Sequence, residues 1–182
     1  MAFIELNPSL KTSRTETHFF FLNGPFSQWY PSLFEAVLPG ESASRPFNCA
    51  EQFMMAGKAA LFGDDEVLER IMAVEQKRDW REAPKAHKAL GRLVKGFVPE
   101  VWDANAREIV FAGNLAKFGQ ADNLRSYLLA TGDLTLVEGA HYDPVWGVGL
   151  AWDDPQIIDP ANWQGSNWLG EALMRVRTAL AG

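Results

Sequence analysis

The sequence predicts a mainly α fold, of the α+β kind with a few short strands, built as one domain. Three observations predict it. Helix starts and stops recur in pairs, such as Pro99 followed by Gly119 and Pro84 opening a run to Val94. Leu169, Leu173, Val176 and Leu180 give the last segment an apolar stripe at helical spacing. Strand-like runs are few and short.

In chain order, residues 1–17 are polar and weakly patterned, and a loosely ordered start is expected, with the domain over 18–182. His18 to Leu22 is a short apolar run that stops at Asn23-Gly24-Pro25, which predicts a buried strand. Residues 26–34 are aromatic and irregular, and 35–46 read as a hairpin with Pro39-Gly40 at its tip. Asn48 is a good N-cap residue, and Glu51 three residues later completes a capping-box pattern. A helix is therefore expected from Asn48 to Phe62, stopped by Gly63. Further helices are expected over 64–74, 84–94, 99–118, 120–130 and 166–181, with a strand at 134–138 and a loop-rich stretch at 139–165.

Composition narrows the function. The chain has 182 residues, 47% hydrophobic and 22% charged, which is ordinary for a globular domain and excludes disorder. Its one cysteine, Cys49, excludes a disulfide scaffold. No apolar run reaches the roughly 18 residues of a membrane span. The first residues lack a basic-then-apolar leader, so a cytoplasmic protein with no membrane partner is expected. The net charge of −6 disfavours a protein that grips long phosphate backbones. A pocket for one modified nucleotide remains compatible with it.

Two groups of residues can carry chemistry. Glu51 and Lys58 lie seven apart on one predicted helix and share a face with Met54 and Met55, about 10 Å apart along the axis. Opposite charges on an apolar face are costly unless paired or used. A partly desolvated lysine becomes a nucleophile, and a carboxylate beside it stabilises a cation or activates water. The plain alternative has Glu51 closing a cap and Lys58 reaching solvent. The second group is the loop from His141 to Gly149. Gly147 and Gly149 let backbone N–H groups approach an anion, Trp146 offers a stacking face, and Asp143 is a second carboxylate. The alternative is a tight loop plugged into the core by Trp146. Arg92, Lys95, Arg107 and Lys117 lie on helices where such residues bind phosphate or simply face water. His18, His87 and His141 are scattered, so no metal is expected, and no cofactor.

A set of blocks in this order resembles the NADAR superfamily, the YbiA-like family: Asn23-Gly24 and Phe26-Ser27, FNCAEQFMMAGKAALF (47–62), LGRLVKGF (90–97), VWDANAREIV (101–110), GNLAKFGQ (113–120), LLATGD (128–133), LVEGAHYDPVWGVGL (136–150) and NWLGEALMRVR (167–177). The resemblance covers roughly residues 18–180. It implies a YbiA-like helical domain and N-glycosidase activity, a hydrolysis at ribose C1. The substrate it implies is a ribosylated or ADP-ribosylated nucleotide. One branch takes phosphoribosylamino-pyrimidine intermediates of riboflavin biosynthesis, the other ADP-ribosylated guanine, including in nucleic acid. By the same resemblance the catalytic residues are Glu51, Lys58 and Asp143. Glu51 or Asp143 stabilises the cationic transition state or orients water, and Lys58 forms a Schiff base with C1 if the ribose opens. Asn23, Gly24, Ser27, Arg92, Trp146, Gly147 and Gly149 are the implied substrate-binding residues. One departure is Gln28, where the family reads Asn. A non-catalytic ADP-ribose-binding module needs the same aromatics and glycines without both charges, and stays open beside the enzyme.

Overall fold

A computed structural model describes residues 9–182. In chain order its elements are β1 (Thr12–Arg14), β2 (His18–Phe21), β3 (Phe34–Val37), β4 (Ser44–Phe47), α1 (Ala50–Leu61), α2 (Asp65–Met72), α3 (Glu82–Gly91), α4 (Pro99–Gln120), α5 (Asp122–Leu129), β5 (Thr135–Glu138) and α6 (Trp168–Ala181), with two 3-10 turns at Pro155–Ile158 and Pro160–Asn162. The mainly α expectation with short strands holds. The backbone gathers into two compact units, one holding Gln28–Ala121 and the other the residues up to Ser27 together with Asp122–Gly182. No helix of the described residues is long and apolar enough to cross a membrane.

The helical unit, Gln28–Ala121, is built around α1. Nine of its residues are buried, including Phe53, Met54 and Met55, and it packs against α2, α3 and α4. Small residues allow that approach. A Cβ at Gly91 would strike the Met55 sulfur, and one at Gly57 would strike Ile109. The hairpin β3–β4 pairs Phe34 with Phe47, and both rings pack on Phe53. Its turn carries Gly40 at a φ of 80°, as the Pro39-Gly40 signal predicts. Asp64 caps α2 by accepting the Val67 N–H.

Most boundaries shift by a few residues, α2 ending at Met72, α3 at Gly91 and α6 starting at Trp168, and three shifts have a visible cause. Cys49, not Asn48, is the N-cap of α1, and Glu51 closes no capping box. The Asn48 side chain is used elsewhere: it donates to the Val74 carbonyl and pairs with His87 Nε2. Gln52 takes the bridging role instead, accepting the Asn48 N–H at 2.7 Å. α3 begins at Glu82, because a proline at the third helical position still lacks only an N–H that has no partner within the helix. α4 runs through Gly119 to Gln120, whose side-chain amide clasps the backbone of Glu35 from both sides.

The sheet unit has a three-stranded sheet in the order β1-β2-β5. β1 pairs antiparallel with β2, and β2 pairs parallel with β5, His18 opposite Thr135 and Phe21 opposite Glu138. β2 is a continuous apolar run because both its faces are covered. Phe19 and Phe21 pack on Phe26, which meets Tyr127, and Phe20 packs with Val137, Val148, Leu150 and Ile157. Each buried phenylalanine contributes about 1.5–3 kcal/mol. α6 lies on β5, and α5 lies on α6. Of the segment expected to be loosely ordered, residues 1–8 lie outside the described residues, and Thr12–Arg14 form β1.

Candidate active site

In the helical unit the expected residues divide between the two ends of α1. Glu51 stands in the first turn and is 5% exposed. Its backbone N–H donates to the Gln28 carbonyl at 2.9 Å. Gln28 is buried as well. Its Oε1 accepts from Asn114 Nδ2 at 2.8 Å, and its Nε2 points at the Met54 sulfur. The extra methylene at position 28 is thus spent reaching α4. Cys49 lies beside these groups, fully buried, and burial pushes its thiol up to about 12. That makes it a packed neutral thiol, not a reactive one.

Lys58 stands in the last turn of the same helix, half-buried. Its Nζ donates to the Gly91 carbonyl at 3.0 Å and sits 4.1 Å above the Phe97 ring, with Trp102 at 5.6 Å. Burial lowers its pKa. Ring faces and a carbonyl oxygen oppose that by holding the charged form. Arg92 follows Gly91 and is exposed, so the structure brings the Lys58 ammonium to the end of α3 that carries Arg92.

In the sheet unit Asp143, Trp146, Gly147 and Gly149 share one loop. Asp143 Oδ1 accepts the N–H groups of Val145 and Trp146 at 3.1 and 2.9 Å, which fixes the turn. Trp146 is half-buried and meets Trp168 edge-on at 5.6 Å. Gly147 has no room for a Cβ, which would fall 2.9 Å from the Glu138 carbonyl oxygen, and Gly149 has a φ of 71°. Both glycines therefore have a packing reason within the loop. Asn23 accepts the Lys11 N–H at 2.7 Å, and the Gly24 carbonyl accepts from the Ser27 N–H, so Asn23, Gly24 and Ser27 form the turn after β2. No group of three metal-ligating side chains occurs among the described residues.

Two residues matter more than their sequence positions announce. Asn167 opens α6 in a left-handed conformation and bridges β5, accepting from the Glu138 N–H and donating to the Leu136 carbonyl. Lys117, expected on a phosphate or in water, is instead 1% exposed, and burial brings its pKa down to about 7. The signal is in the sequence: Val110, Gly113 and Asn114 precede it at helical spacing and are all buried.

The NADAR domain family model matches residues 18–181. The chain belongs to the NADAR family. Among its relatives, N-glycosidase R617 of Acanthamoeba polyphaga mimivirus is 40% identical over 152 residues, covering 84% of this chain and 85% of that protein. Protein irg-1 of Caenorhabditis elegans is 35% identical over 166 residues, covering 85% and 74%. The solution structure of E. coli YbiA matches with a TM-score of 0.68 at 25% identity, over 94% of this chain and 89% of YbiA. The NADAR and YbiA-like resemblance read from the sequence is borne out.

Proposed function

We propose that this NADAR protein is a hydrolase that cleaves the bond between ribose C1 and a nitrogen of a ribosylated or ADP-ribosylated base. The reaction class, N-glycosidase, rests on named relatives aligned over most of the chain. The observation that carries the reading is Glu51, a carboxylate buried at the start of a buried helix where packing alone has no use for a charge.

Cleavage of an N-glycosidic bond builds positive charge on the ribose ring. In this reading the Glu51 carboxylate stabilises that charge, and a low-dielectric position strengthens the interaction. In the sheet unit, Asp143 fixes the loop that presents the Trp146 ring, a face of the kind that stacks on bases. Lys58, kept as a cation over Phe97, and the exposed Arg92 beside its acceptor attract the substrate's phosphate groups. Two substrates fit this chemistry, ADP-ribosyl-guanosine and a phosphoribosylamino-pyrimidine, and an ADP-ribosylated guanine in nucleic acid presents the same bond. The test is incubation with each and mass spectrometry of the products. Free base or intact guanosine from one of them is the expected result. Thermal stabilisation by ADP-ribose with no release from either would replace the enzyme with a binding module.

A further inference from the structure

The first turn of a helix carries N–H groups that have no acceptor within the helix. Cys49, the N-cap of α1, offers them no side chain. The Glu51 N–H is satisfied from outside, by the Gln28 carbonyl at 2.9 Å. A little further along, the Ser32 N–H donates to the Asn48 carbonyl at 3.0 Å. Residues 28–32 thus form a strap fastened at both ends across the start of α1. The Gln28 side chain ties that strap to α4, its Oε1 accepting from Asn114 Nδ2 at 2.8 Å. Its Nε2 faces the Met54 sulfur at 3.9 Å, a weak acceptor.

Asn114 is turned toward Gln28 at a cost. Its Nδ2 donates to Gln28 Oε1 and to the Val110 carbonyl, at 2.8 and 2.9 Å, which uses both amide hydrogens. Turning the amide over would set its oxygen against two other oxygens, so its orientation is fixed. Asn114 Oδ1 is then left buried without a hydrogen-bond partner. An acceptor in that state is destabilising, and a pair of apolar side chains would fill the same space without it. Packing therefore does not account for this pair. Its length is also specific. An asparagine at position 28 would draw the side-chain amide back by about 1.5 Å. That places it beyond hydrogen-bond reach of Asn114.

We propose that Gln28 and Asn114 are a positioning pair for Glu51. The proposal rests on the N-glycosidase reading above. Asn114 anchors the Gln28 side chain to α4, and the Gln28 carbonyl anchors the backbone of Glu51. The carboxylate is thereby registered against α4, where an unfastened helix end would let it drift. Neither amide side chain has to touch the substrate. A group that stabilises a cation must be in place before the charge develops, and a displacement of about 1 Å can cost about 100-fold in rate. The pair acts on the chemical step, so its effect belongs to kcat.

The test is steady-state base release from the substrate that wild type cleaves, with each variant assayed below its own Tm. Gln28→Asn should lower kcat by roughly 10–100-fold, with KM within about twofold of wild type. Adding Asn114→Gln to Gln28→Asn moves the methylene to the other side of the bond and should recover most of the loss. Hydrogen exchange on wild-type protein gives a second measurement, which stands even if a variant folds poorly. The Glu51 amide should be as protected as amides in the middle of α1, although first-turn amides ordinarily exchange fast. An unchanged kcat in Gln28→Asn, a loss that falls on KM, a double variant no better than the single one, or a freely exchanging Glu51 amide overturns the proposal and leaves the N-glycosidase reading intact. Absence of base release by wild type from either substrate overturns that reading, and the proposal with it.

Discussion

The two ends of α1 show how one helix treats two charges. At its start, Glu51 sits in a sealed polar cluster with Cys49, Gln28 and the face of α4 that carries Asn114 and Lys117. At its end, Lys58 sits among aromatic rings, half-open to solvent, bonded to the carbonyl of Gly91. Burial brings the Lys117 pKa down to about 7 and lowers that of Lys58 as well, there against a carbonyl and a ring that hold the ammonium. Equal spacing on a helix face therefore does not mean equal chemistry. In the proposed function the sealed end makes and breaks bonds, and the open end attracts the anionic substrate.

The widest separation between the two ends is expected in stability against pH. The unfolded chain keeps the Lys117 proton up to about its ordinary 10.5, while the folded chain releases it near 7. Folding then expels a proton between those values, so stability rises with pH by about 1.4 kcal/mol per unit across that window. The titratable group that acts on it is Cys49 at the start of α1, and the Tyr30 ring lies 5.7 Å from its Nζ. Denaturant titrations from pH 7 to 10 should show that slope in wild type and its loss in Lys117→Met. An equal slope in both would assign the proton to another group.

Next in size is Gly91→Val. Its Cβ would occupy the place of the Met55 sulfur, forcing α3 away from α1 and carrying the Lys58 acceptor with it. A loss of about 1–3 kcal/mol is expected from denaturant curves, as for other overpacked helix contacts. Lys58→Met should be milder. One hydrogen bond and two ring contacts at a half-open position account for about 1 kcal/mol, and Lys58→Arg should recover part of it. The smallest effect belongs outside the helix. Asp143→Ala frees the Val145 and Trp146 N–H groups at an exposed turn, for about 0.5–1 kcal/mol by thermal melting.

Much of this architecture was legible, and the exceptions have a common physical cause. The β3–β4 hairpin, the buried strand β2 and the Asp64 cap follow from local chemistry: a glycine that accepts positive φ, a continuous apolar run, a carboxylate beside a free N–H. Spacing puts the cap of α1 at Asn48, but its side chain is claimed by Val74 and His87, neighbours far away in sequence. β1 is polar and pairs through its backbone, so its side chains carry no strand signal. Lys117 depended on knowing that α4 is buried on that face, which its amphipathic pattern suggested only through its neighbours. Glu51 and Lys58 were both found by spacing, and only the structure separated their surroundings.

In the proposed function, chemistry belongs to the Glu51 end of α1 and substrate attraction to the Lys58 end. Steady-state base release by Glu51→Gln and Lys58→Met, each beside wild type on the substrate that wild type cleaves, tests it most directly. Glu51→Gln should lower kcat by roughly 10²–10³-fold with little change in KM, and Lys58→Met should raise KM with kcat largely kept. A Glu51→Gln protein that turns over at the wild-type kcat, or a Lys58→Met protein whose loss falls on kcat, would contradict it.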